Sequence, residues 1–235
     1  MALKEGDFVK IDYSIWRHSD NTIVRTTDKA VAEKNGVYDS KIHYGPQLVV
    51  LGRDNTIKGI SDTLIGMDAG QAKKFELSPG QAYGERNKDL VRVMPLSDFR
   101  KRDMNPSPGM QMDLDGAIAT VVSVNSGRVM VDANHPLAGE RITCELKVVS
   151  RIDDQKEKVK AAFERYGLTP SSVDTSAAGA KVAFDSKVKK DSDFLINKAN
   201  AVAFAFAYID SIKSIKVEEE YSKEAERTAT EDQTA

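Results

Sequence analysis

Glu76-Leu77-Ser78-Pro79-Gly80-Gln81-Ala82-Tyr83-Gly84-Glu85 is the stretch on which the fold turns. Lys73 to Leu77 reads as the end of a strand, with Phe75 and Leu77 on one face, and Ser78-Pro79-Gly80 reads as a turn. Ala82-Tyr83-Gly84 then sets one tyrosine between two small residues. Such a ring either offers an apolar surface and a hydroxyl donor to a pocket or closes the core behind the turn. The segments on both sides decide between these roles.

Upstream, Phe8 to Tyr13 alternates and places Val9, Ile11 and Tyr13 on a core face, in a strand that runs on through Ile15. Tyr13 then sits in mid-strand with a hydroxyl that needs a partner. Ser19-Asp20-Asn21 predicts a hairpin turn and Thr22 to Arg25 its return strand. Thr27-Asp28 caps a short helix that Asn35-Gly36 ends, and Leu48 to Leu51 is a further strand. Ile57, Ile60 and Leu64 fall at helical spacing before Gly66, in a helix short enough to need a sheet over its apolar face.

Downstream the character changes. Residues 85–132 hold short β segments at Leu90–Val93, Gln111–Leu114, Ile118–Val124 and Arg128–Val131, with turns at Asp115-Gly116 and Asn125-Ser126-Gly127. Five of the seven methionines lie there, at Met94, Met104, Met110, Met112 and Met130. Methionine suits a surface that accepts many partners and equally suits a small core short of large side chains. Ile142 to Val149 then alternates and is apolar enough for a central strand.

Composition narrows the function classes. The chain has 235 residues, a formal charge of −2 and a pI near 6.0, which gives no basic footprint for nucleic acid. A single cysteine suits a reducing compartment, and a cytoplasmic location is expected. The N-terminus shows no basic region followed by an apolar run, so no signal peptide is expected, and Ala201 to Ile209, the longest apolar run, is too short to span a bilayer, so no membrane role is expected. His18, His43 and His135 are scattered without metal-ligand spacing, and no phosphate loop or nucleophile elbow appears, so no metal or other cofactor is expected.

Val9 to Tyr13, Thr56-Ile57-Lys58-Gly59, Gly66-Met67, Ala82-Tyr83-Gly84, Asn134-His135-Pro136-Leu137-Ala138-Gly139 and the closing strand occur in an order that resembles FKBP-type peptidyl-prolyl isomerases. The segment between Ala82-Tyr83-Gly84 and Asn134-His135-Pro136 is similar to the insert-in-flap domain of the SlyD-like branch, in its long archaeal form. The resemblance covers residues 1–152. It implies an α+β fold with an FKBP-like antiparallel sheet around a short helix in 1–84 and 133–152, an inserted mostly-β chaperone domain in 85–132, and a C-terminal α/β domain in 153–235. It implies Tyr83 as the donor to the substrate carbonyl, Ile57 as a backbone N–H and apolar wall, and Tyr13 as a third catalytic position. Val24, Arg25, Thr56, Ile60, Ala82, Leu137, Ala138 and Cys144 would contact substrate. Val93, Met94, Met104, Met110, Met112 and Met130 would form the surface that takes unfolded or proline-containing clients.

The sequence departs from the family pattern at named positions. Arg25 stands where an aspartate is usual, Cys144 where a phenylalanine is usual, Thr56 where valine is common, and Ile60 where tryptophan or leucine sits. Arg25 puts a cation at the pocket rim, and Cys144 removes a ring from its floor. Two functions follow: a prolyl isomerase with a client-binding insert, or a non-enzymatic holdase on an FKBP scaffold with a weakened site.

Residues 153–166 predict a helix capped by Asp153 or Asp154 and stopped by Gly167, with Val159, Ala162, Phe163 and Tyr166 as its stripe. Leu168 to Gly179 reads as a loop, Lys181 to Val188 as a strand, and Asp191 begins a longer helix. On that helix Leu195, Ala199, Val202, Phe206 and Ile209 form one stripe and Phe204, Tyr208 and Ile212 another. Ile215, Val217 and Tyr221 then alternate as a strand before a charged, mobile tail after Ser222. This region either mediates a homodimer or docks as a stabilising unit. The tail lacks a His/Cys-rich metal-binding run, so no nickel role is expected.

Overall fold

The structure, a computed structural model, describes residues 2–40, 42, 44–114 and 116–222. His43, Asp115 of the predicted turn and the tail after Ser222 lie outside the described residues. The first elements are β1 (Phe8–Arg17), β2 (Ile23–Thr26), α1 (Lys29–Lys34), β3 (Gln47–Val50), α2 (Lys58–Leu64) and β4 (Ala72–Leu77). Then come β5 (Val91–Pro95), α3 (Leu96–Arg100), β6 (Gln111–Leu114), β7 (Ala117–Asn125) and β8 (Arg128–Asp132). The chain returns through β9 (Ile142–Ile152) and ends in α4 (Gln155–Glu164), β10 (Ser172–Thr175), β11 (Gly179–Phe184), α5 (Ser192–Tyr208) and β12 (Ser214–Glu219). The fold is α+β, and no helix among the described residues is long and apolar enough to cross a membrane.

Among the described residues the strands make three sheets. In the first, β9 runs antiparallel between β1 and β4, so its alternating Ile142, Cys144, Leu146 and Val148 are all buried. The other edge of β1 is shared. β3 pairs with Phe8–Ile11 and β2 with Ser14–Trp16, which leaves Asp12 and Tyr13 outside both ladders. Thr27 fills the gap: its N–H donates to the Tyr13 carbonyl at 2.9 Å, and its Oγ1 accepts from the Tyr13 N–H at 3.0 Å. Asp28 caps α1 by accepting from the Ala30 and Val31 N–H groups. α2 has no side-chain cap and is held by burial of Ile60 and Leu64 against the sheet. Gly59 permits that approach, because a Cβ there would lie 2.3 Å from Leu77 Cδ2 and 3.0 Å from the Gln81 carbonyl oxygen.

The second sheet, in the order β5-β8-β7-β6, is wholly antiparallel and built from residues 91–132. Phe99, Met112, Leu114, Ala119, Val121, Val129 and Val131 form its core. α3 is an element that the prolines at 95, 106 and 108 hid; Pro95 stands at its N-cap, and Phe99 is the side chain it buries.

The third sheet pairs β10 antiparallel and β12 parallel with β11. β10 lies inside the stretch read as a loop, where its buried Val173 is too short a pattern to stand out among serines and threonines. α4 starts at its Asp154 cap, and Gly167, at φ +74°, turns the chain after it. α5 corrects the stripe reading. Phe194, Ala201, Phe204 and Ala205 are buried, followed by Ile209 and Ile212, while Leu195 and Phe206 are exposed. The C-terminal core also takes Phe8 from β1 and Leu48 and Val50 from β3, so this unit is packed onto the first sheet.

Candidate active site

Tyr13 from β1, Val24 from β2, Ile57 and Ile60 from the start of α2, and Ala82 and Tyr83 after β4 meet in one apolar cluster. Phase alternation in β1 and β2 points Tyr13 and Val24 inward, and the turn Ser78–Gln81 swings Tyr83 back over the sheet. That turn is fixed by a capping box in which Gln81 Oε1 accepts from the Ser78 backbone N–H at 3.3 Å. The rim and wall therefore come from separate stretches of chain, and the central sheet holds them together.

Two hydrogen-bond donors at this cluster are uncommitted. The Tyr83 hydroxyl and the Ile57 backbone N–H donate to nothing among the described residues. Tyr13 is different: its hydroxyl donates to Gln47 Oε1 at 3.0 Å, which supplies the partner its mid-strand position requires. Burial pushes both phenols above the ordinary tyrosine value, and the positive charge of Arg25 opposes that rise at each. Both hydroxyls thus remain protonated donors at neutral pH.

His135 is a site residue that sequence reading passed over. Its ring stacks on Tyr83 with centroids 4.6 Å apart and an interplanar angle of 7°. Its Nδ1 accepts from the Leu137 N–H at 3.1 Å, which places the proton of the neutral ring on Nε2. Stacking holds the Tyr83 ring in one plane. The signal was the Asn134-His135-Pro136 turn itself, which brings the ring to the tyrosine.

The other expected positions divide. Leu137 is buried and Ala138 half-buried on the loop that His135 anchors, outside the Tyr13 cluster, and the Gly139 N–H donates to the Gly84 carbonyl at 2.9 Å to join the two loops. Thr56 is half-buried at the entry to α2, and Arg25 is exposed at the rim, its Cζ 5.9 Å from the Tyr13 ring centroid. Cys144 has 0% exposure, lies between Ile15 and Phe75 in the sheet, and belongs to the same apolar cluster as Tyr13. Burial pushes its thiol up to about 12, which leaves it neutral and unreactive.

On the insert, Met112 is buried, a correction to its expected place on the surface, because it pairs with Ala119 on the face that covers Phe99. Met94, Met104 and Met110 are half-buried against the same core. Val93 and Met130 face each other across β5 and β8 on the opposite, open face and are 58% and 37% exposed, joined there by Ile118 and Val122.

An apolar cluster with free donors and a stacked tyrosine, set over an antiparallel sheet and one short helix, defines the class. The family model described as FKBP-type peptidyl-prolyl cis-trans isomerase matches residues 1–98. The model described as FKBP26, IF domain, matches residues 92–137. The short-type peptidyl-prolyl cis-trans isomerase of Methanocaldococcus jannaschii is 32% identical over 146 residues, covering 62% of this chain and 92% of that protein. The probable FKBP-type 16 kDa isomerase of Pseudomonas fluorescens is 28% identical over 138 residues, 57% of this chain and 91% of that protein. The FKBP-type isomerase SlyD of Vibrio cholerae is 32% identical over 134 residues, 55% of this chain and 66% of that protein. The chain belongs to the FKBP-type peptidyl-prolyl cis-trans isomerases.

Proposed function

We propose that this isomerase acts on unfolded polypeptides, which the open face of the inserted sheet captures and the Tyr13–Tyr83 pocket turns over. The observation that carries the catalytic part is the pair of uncommitted donors, Tyr83 O–H and Ile57 N–H, beside an apolar wall. Rotation about an amide costs roughly 18–20 kcal/mol because resonance is lost on the way. For X–Pro the uncatalysed step takes tens to hundreds of seconds and limits folding. The twisted amide has less charge separation than the planar one, so an apolar wall favours it, while the donors hold the substrate carbonyls in place. The chemistry needs no nucleophile. Tyr83 donates through its hydroxyl, Ile57 through its amide, and Tyr13, Val24 and Ile60 form the wall, with His135 keeping Tyr83 in plane.

The exposed apolar row of Val93, Met130, Ile118 and Val122 supports the capturing part, since an extended unfolded segment can lie along such a face. The exposed Leu195, Ile196 and Phe206 on α5 flank the small Ala199 and Ala203, which allow close helix approach, and we assign this stripe to a second copy of the chain. Light scattering that returns monomer mass at high concentration would sink that assignment.

A holdase without turnover is the second reading, favoured by Arg25 at the rim in place of a carboxylate. Tyr83→Phe separates the two. As an isomerase the protein loses about three- to tenfold in kcat/KM, the worth of one hydrogen bond. As a holdase it suppresses aggregation unchanged and accelerates nothing in either form.

A further inference from the structure

The split edge of β1 places two polar side chains around Tyr13. Arg25 is the penultimate residue of β2, opposite Ile15, and Gln47 opens β3 opposite Ile11. Behind them lies a cavity of about 580 Å³ between the isomerase sheet and the end of α4, lined by Lys10, Arg25, Gln47, Glu164 and Arg165 among others. Its cations are not equivalent. Lys10 is committed to Glu164 at 3.0 Å. Arg165 is committed to Asp54 at 3.5 Å and donates to the Leu48 carbonyl. Arg25 has no carboxylate within ion-pairing distance among the described residues, and its guanidinium lies over the Tyr13 ring. It flanks the Tyr13 ring, 5.9 Å from the centroid, and also lines the cavity.

We propose that this isomerase selects substrates with an acidic side chain next to the proline, and that Arg25 is the specificity-determining residue. The inference rests on the Tyr13–Tyr83 pocket being the isomerase site. A carboxylate on a residue adjoining a pocket-bound proline meets an unpaired guanidinium there, and a lysine meets repulsion. Because Arg25 is exposed, the effect is modest: about fivefold between glutamate and lysine, shrinking at about 1 M salt, where charges are screened within ~3 Å.

The test uses the full chain and short peptides with Glu, Gln or Lys immediately before the proline, and a second set with the change immediately after it. Turnover is read by a protease-free assay and affinity by NMR titration. The expected result is a Glu-over-Lys preference at one of the positions, abolished by Arg25→Gln and inverted by Arg25→Glu. A Glu-to-Lys ratio that Arg25→Gln leaves unchanged at both positions overturns the proposal while turnover keeps the isomerase reading. No turnover, with a Glu-over-Lys difference in affinity that Arg25→Gln removes, does the reverse. Absence of both turnover and charge-dependent affinity overturns both.

Discussion

Among the described residues, the core of the insert, built on Phe99, Met112, Leu114, Val121, Val129 and Val131, takes in only the adjoining Ala133 from outside 85–132. The C-terminal core instead takes in Phe8, Leu48 and Val50 of the isomerase strands. The contacts at the two junctions follow suit. At the insert's neck they are polar: the Asn87 N–H donates to Asn134 Oδ1 at 2.9 Å, Asn134 Nδ2 donates to the Asn87 carbonyl at 2.8 Å, and Arg86 pairs with Asp132. At the C-terminal junction, Arg53 pairs with Asp210 at 3.3 Å and Arg165 with Asp54 around a continuous apolar interior. Buried apolar contact couples stabilities, whereas exposed polar contact contributes little. The insert should thus open and move on its own, and the C-terminal unit should melt with the scaffold.

Phe8→Ala breaks that comparison most severely. It empties a position 2% exposed in the shared core and should cost about 3–5 kcal/mol. Calorimetry should show one transition, lowered by roughly 6–20 °C, carrying the isomerase and C-terminal units together. Val129→Ala in the insert should instead speed amide hydrogen exchange within 91–132 and leave exchange in β1 and β9 unchanged. Scaffold exchange that rises equally would mean the insert is coupled after all.

Gly59→Ala sharpens the site side of the comparison. The added methyl meets Leu77 and the Gln81 carbonyl, so α2 must lift, at about 1–2 kcal/mol. Ile57 caps that helix, so kcat/KM should fall while capture by the insert does not.

Much of this was legible in the sequence where a single pattern carried the information. Val9, Ile11 and Tyr13 alternate onto the core; Asp28, Asp154 and Asp191 cap the helices they precede. The motif order found Tyr13, Ile57 and Tyr83 together. What stayed hidden depends on tertiary partners. Whether Met112 faces in or Met130 out follows from the register Met112↔Ala119 and Val93↔Met130, which composition does not encode. The α5 stripes were ambiguous because alanines filled both faces, and only packing against Phe184 singled out Phe194. His135 had no metal or catalytic spacing; its importance is one stacking contact.

Two smaller effects complete the set. Val93→Ser with Met130→Ser should leave stability within about 0.5 kcal/mol, since both side chains are exposed, and should weaken suppression of client aggregation several-fold. The smallest concerns pH. The Cys144 thiol is held near 12 when folded against an ordinary 9.0, so its contribution is complete below pH 9 and is lost as pH rises from there toward 12. Chemical denaturation at pH 8 and pH 10 should show a loss on the order of 1 kcal/mol that Cys144→Val lacks.

The most direct measurement of the central claim is a protease-free, proline-limited refolding assay that compares the full chain with one whose residues 85–132 are replaced by a short loop. The separately cored insert predicts that the loop variant keeps its fold and its turnover of short peptides but accelerates protein refolding far less than the full chain. Equal acceleration by both proteins would contradict the division of labour between insert and pocket, and acceleration by neither would contradict turnover at the Tyr13–Tyr83 site.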